Sequence, residues 1–108
     1  MKIIITENQK RKLQFNYLDY LFKDMYEVES KKYPNYTRSW KKNGEIILEF
    51  TVESGYLWVL ELIWSDISNM FSLDYDETKQ LIKDWAEQHL ELEGITPESV
   101  YGFFWDNN

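Results

Sequence analysis

From Leu13 onward, apolar residues return every three or four positions: Leu13, Tyr17, Leu18, Leu21, Phe22, Met25 and Val28. That spacing lays one apolar stripe along a helix of about five turns. Thr6 and Gln9 form a T-x-x-Q capping box ahead of it, with Glu7 in the first turn, where the helix dipole favours an acid. Pro34 in "YPNY" marks the end, because the residue before a proline is driven out of helical backbone. The β-branched run "KIIIT" before the cap reads as a short strand or an extended arm.

The period then changes to two. In "YTRSWKKNGEIILEFTV", Asn43-Gly44 is the preferred pair for a two-residue type I′ hairpin. A turn there sets Lys42 opposite Glu45, Trp40 opposite Ile47 and Arg38 opposite Glu49, pairs worth about 0.2–1 kcal/mol each. The other face carries Ile46, Leu48, Phe50 and Val52, an alternating ladder that calls for burial. "ESG" predicts a three-residue turn with Gly55 in the left-handed conformation. Setting Val52 opposite Tyr56 puts Trp58, Leu60 and Leu62 on the Leu48 face and completes a three-stranded meander. The opposite face, with Arg38, Trp40, Ile47, Glu49, Leu57, Val59 and Glu61, is left open to a partner or to a second copy in a homodimer. A competing reading runs 56–71 as one helix. The Trp, Val and Tyr content and the glycine turn favour the strand.

"IWSDISNMFS" reads as a short helix. Asp74 caps the next one, with Glu77 three positions on and Gly94 as the stop. Its inward stripe is 78, 81, 82, 85, 89 and 92. Thr96-Pro97-Glu98 resembles a helix start, and the aromatics around Gly102 form a further turn of helix or an extended tail. The expected order is α-β-β-β-α-α, with a short strand allowed at either end. This is an α+β fold in one domain, 1–108, with helices on one face of an antiparallel sheet.

Composition narrows the chemistry. The chain has no cysteine, which removes disulfides, thiol nucleophiles and thiolate metal sites. No apolar run approaches the length of a membrane span, and "MKIII" is too short for a signal peptide. The expected setting is the cytoplasm, without membrane association. Aromatics are 18% of residues, enough to fill a small core and leave some for a partner. The net charge of -7 is unevenly spread. Residues 1–44 carry ten Lys/Arg against five Asp/Glu; residues 45–108 carry two against fourteen. Either each half faces a partner of opposite charge, or the halves lie together and neutralise one another.

The single histidine, His89, falls on the inward stripe one turn from Trp85, with Glu91 and Glu93 nearby. A His–carboxylate site is one reading; a histidine at the helix end, favourable to the dipole, is the plainer one. No metal site is expected, since a metal needs several convergent ligands. "DYDET" fails the calcium-loop pattern, which requires glycine at position six and glutamate at twelve, where Lys79 and Trp85 stand. Four scattered glycines build no phosphate loop, and no serine sits in a nucleophile elbow. No catalytic residue and no cofactor is assigned.

Binding is the remaining class. Asp74, Asp76, Glu77, Asp84, Glu87 and Glu91 form an acidic helix face, and with Trp40 and Arg38 they are the candidate partner-binding residues. Such a face suits a basic partner, including a nucleic-acid-binding protein whose ligand it would mimic. The alternative uses Lys31, Lys32, Arg38, Lys41 and Lys42, with interleaved aromatics, to bind nucleic acid. The α-β-β-β-α order is similar to that of double-stranded-RNA-binding domains. Their last helix opens with clustered lysines, whereas this one opens Asp74-Tyr75-Asp76-Glu77, so the assignment fails where it matters. "MKIIITENQ" and "FSLDYDETKQLIKDWAEQHL" resemble short accessory proteins of tailed bacteriophages, notably marine ones. That resemblance implies phage origin and a small accessory role in an infected bacterium; with the acidic helices and exposed aromatics, the expected function is a small non-enzymatic protein that binds and modulates a host protein. The resemblance carries no site residues with it.

Overall fold

The computed structural model describes residues 6–29 and 37–103. The "KIIIT" strand, the Pro34 stop, Lys31, Lys32 and the aromatics Phe104 and Trp105 lie outside them. Helix α1 (Glu7–Leu21) begins at the expected capping box: the Gln9 N–H donates to Thr6 Oγ1 at 3.2 Å and the Thr6 N–H to Gln9 Oε1 at 2.9 Å. It ends two turns earlier than its apolar spacing suggests. The Lys42 ammonium donates to the Leu21 carbonyl at 2.8 Å and so satisfies an open helix end. Asp24 then adopts a left-handed conformation (φ 68°), tolerated by its short polar side chain. The chain turns into strand β1 (Tyr26–Glu29), where Tyr-Glu-Val-Glu alternates with period two. Met25 and Val28 therefore continued the helical spacing only by coincidence.

Strands β2 (Thr37–Lys42) and β3 (Glu45–Thr51) meet at Asn43-Gly44, both with positive φ (54° and 79°), as a type I′ turn demands. Lys42 pairs with Glu45 as expected. Beyond Lys41 the register shifts by one, so Trp40 faces Leu48, Ser39 faces Glu49 and Arg38 faces Phe50. The extra residue on β3 is a β-bulge, which changes every pairing after it. The expected Trp40–Ile47 and Arg38–Glu49 pairs do not form.

A second slip lies at the next turn. The loop has four residues, with the Gly55 N–H donating to the Thr51 carbonyl at 2.8 Å. Strand β4 (Tyr56–Leu60) thus pairs Thr51 with Tyr56 instead of Val52 with Tyr56. A one-residue shift exchanges the faces of a strand. Leu57 and Val59 point into the core at 0% exposure, and Trp58 points outward. Val52 is left exposed in the turn, and Leu62 lies exposed on the following helix.

Helix α2 (Glu61–Phe71) follows β4 directly, and α3 (Tyr75–His89) follows after Ser72, which takes a left-handed cap (φ 52°). Thr78, fully buried, donates to the Asp74 carbonyl and shares a 2.8 Å bond with Ser68 of α2. Leu90 caps α3, so the helix stops before Gly94. Leu92 is buried from the loop instead of from the helix. A short 3-10 helix (Pro97–Ser99) leads into β5 (Val100–Phe103), which pairs parallel with β4. The expected extra helix or tail is thus a strand, reached by the long crossover that parallel pairing requires. The sheet is mixed and five-stranded, in the order β1-β2-β3-β4-β5. The core lies between its helix-facing side (Trp40, Leu48, Phe50, Leu57, Val59, Val100) and Leu18, Phe22, Trp64, Ile67, Leu81, Ile82 and Trp85 of the helical layer.

Candidate interaction surface

The six acidic candidates are not six equivalent free charges. Asp74 and Glu77 close the α3 capping box on each other's backbone N–H groups, at 2.7 and 3.0 Å. Asp84 meets Arg11 of α1 at 3.0 Å and Lys83 at 3.5 Å, and also accepts from Gln80 at 2.9 Å. Glu87 pairs with Lys83 one turn back, and this hydrogen-bonded carboxylate holds the Lys83 ammonium above its usual range despite some burial. Asp76 and Glu91 are exposed and have no ionic partner among the described residues. Arg11 of α1 thus ties one carboxylate of α3 to the basic half of the chain, while Lys83 pairs within α3 itself. Between the two helices runs a polar groove of about 220 Å³, lined by Glu7, Lys10, Arg11, Gln14, Glu77 and Gln80 among others. It is smaller and more charged than the usual small-molecule cleft.

Trp40 is 4% exposed and leaves the candidate surface: the bulge turns it into the core. Arg38 makes a two-pronged contact with Glu27 (2.8 and 2.9 Å) and lies 5.0 Å over the Trp40 ring. The hydrogen bonds from Arg38 lower the Glu27 carboxyl from its usual range, in spite of partial burial. Of the five basic candidates, Lys31 and Lys32 lie outside the described residues, Arg38 is paired and Lys42 caps α1, while Lys41 is half-buried. His89 turns to Asp19 and not to Glu91 or Glu93. Its Nε2 lies 3.3 Å from Asp19 Oδ1, its ring stacks on Trp85 at 5.2 Å, and the Trp85 indole donates to the same Asp19 oxygen at 2.8 Å. The cluster links α1 to α3. Among the described residues no three His, Asp or Glu side chains converge as a metal site would require.

The register slips create a surface that the sequence pattern did not show. Glu49 pairs with Trp58, Trp58 with Tyr101, and Thr51 with Tyr56, all on the sheet face away from the helices. Tyr56, Trp58 and Tyr101 form a trio with centroids 5.1–6.4 Å apart, two of the three contacts being edge-to-face. Tyr56 is exposed; Trp58 and Tyr101 are half-buried. At the β5 edge the Lys79 ammonium lies 5.1 Å over Tyr101 and 4.6 Å over Tyr75. Glu49 accepts from the Ser39 hydroxyl at 3.2 Å. Of the face expected to be open, Glu49 does face outward, whereas Arg38, Trp40, Leu57 and Val59 lie on the helix side and Trp58 takes the outer position beside Glu49.

No protein-family model, curated protein or solved structure matches the chain. Among the described residues no helix is long and apolar enough to cross a membrane.

Proposed function

We propose that this is a small, non-enzymatic interaction protein that docks a partner polypeptide on the outer face of its sheet. The aromatic trio Tyr56–Trp58–Tyr101 carries this reading. Tyr and Trp are enriched where binding energy concentrates, because each offers a large, stiff apolar body with a polar tip. The five-stranded sheet holds the three rings in fixed register. The surrounding Glu49, Thr51 and Lys79 supply the polar rim that such a patch needs. The exposed Asp76 and Glu91 add to a negative field that draws in a basic partner. A phage setting, with a host protein as the partner, is the biological frame in which we place this activity.

The test is capture by the immobilised chain from a bacterial lysate, comparing three forms. The natural chain and Asp76→Asn/Glu91→Gln should retain the same partner, while Tyr56→Ser/Tyr101→Ser should lose it. Loss in the carboxylate variant with retention in the tyrosine variant would move the site to α3. Retention on heparin that falls steeply with salt would instead support the nucleic-acid alternative.

A further inference from the structure

The molecule contains one arrangement twice, filled once. On the helix side of the sheet, Glu27 of β1 stands directly across from Trp40 of β2, and Arg38, two residues before Trp40, completes the group. Its guanidinium forks onto the Glu27 carboxylate at 2.8 and 2.9 Å and lies 5.0 Å over the indole. On the outer face, Glu49 of β3 stands directly across from Trp58 of β4. The position two residues before Trp58 is Tyr56, which meets the indole edge-to-face. A carboxylate and an indole are again held side by side by strand pairing, but no guanidinium joins them among the described residues.

We infer that Glu49 and Trp58 form a receptor site for an arginine side chain of the docked partner. The inference rests on the outer face being the docking face. The geometry suits Arg better than Lys: a planar guanidinium can bond a carboxylate through two N–H groups while stacking on an indole, and an ammonium cannot do both. Ser39 already donates to Glu49 Oε1 at 3.2 Å, which fixes the carboxylate and leaves Oε2 and the remaining lone pairs for the incoming group. Among the described residues no cation forms an ion pair with Glu49. Lys79 lies over Tyr101 and Tyr75.

The probe is the tripeptide Gly-Arg-Gly, with Gly-Lys-Gly beside it, followed by NMR at the Trp58 indole N–H. A single side chain bound by one ion pair and one cation–π contact should saturate at concentrations on the order of 10 mM. Gly-Lys-Gly should bind more weakly, and Glu49→Gln should weaken Gly-Arg-Gly by about fivefold. Glu49→Gln keeps an acceptor for Ser39. Should it nonetheless lose its fold, the Arg-against-Lys comparison on the natural chain decides alone. Equal binding of the two peptides, absence of saturation, or indifference to Glu49→Gln would overturn the arginine site. If the tyrosine variant still abolished partner capture, the docking face would stand without it.

Discussion

Asp19 ties two helices together with one oxygen. It accepts from the buried Trp85 indole and faces His89, both on α3, while sitting on α1. In Asp19→Ala the indole N–H loses its partner, and partial access for water limits the damage. We expect a loss of about 1 kcal/mol in urea unfolding, with less lost in Asp19→Asn, which keeps an acceptor. Gly55 is constrained twice. Its φ is +75°, and a Cβ there would lie 2.5 Å from the Gly94 carbonyl oxygen. Gly44 has a similar φ (+79°) but open space around it. Gly44→Ala should cost about 1 kcal/mol from backbone strain alone, and Gly55→Ala clearly more, because backbone would have to move as well. Thermal melts of the two variants separate strain from collision.

What could be read from the chain followed from local chemistry. Both capping boxes, the Asn43-Gly44 turn, the left-handed Gly55 and the strand at 56–60 depend on a few adjacent residues and were legible. What failed depends on distant contacts or on counting residues in a turn. One bulge at Ile46-Ile47 and one extra loop residue before Tyr56 moved Trp40 inward and Trp58 outward, because side chains alternate with a period of two. Strand β5 was missed because a four-residue strand earns its place only by pairing with β4, a partner some forty positions away. Strand β1 was masked by apolar residues that happened to extend the helical spacing. The observed register makes a sharp contrast. Val59→Asp puts a charge into the core and should unfold the domain, a loss above about 4 kcal/mol, while Trp58→Ser should cost much less. Circular dichroism and chemical unfolding check both.

The Glu27–Arg38 pair joins the edge strand to the sheet, and its pH dependence has a defined sign. Arg38 holds the Glu27 carboxyl below the ordinary value of 4.5 in the folded chain. Its contribution is therefore present above that value and fades as the pH falls through the lower, folded one. Both side chains are more than a third exposed, so the effect is at most about 1 kcal/mol. Wild type should be more stable than Glu27→Gln at neutral pH, and the difference should shrink in acid.

At the scale of the whole molecule, part of the charge on α3 is paired within the fold. Arg11 and Lys83 take up Asp84 and Glu87, so the acidic helix presents fewer free carboxylates than its sequence promises. The helices cover one side of the sheet, and the other side carries the aromatic trio with Glu49 beside it. The proposed docking face is thus the side of the sheet that the helices leave uncovered. The most direct measurement is site-specific photo-crosslinking in bacterial cells expressing the chain, with a photoreactive phenylalanine placed at Tyr56 or Tyr101 and, separately, at Asp76 or Glu91. Adducts of one discrete partner from Tyr56 and Tyr101, and not from Asp76 or Glu91, are the expected result. Adducts from Asp76 and Glu91 alone, or none from the sheet face, would contradict it.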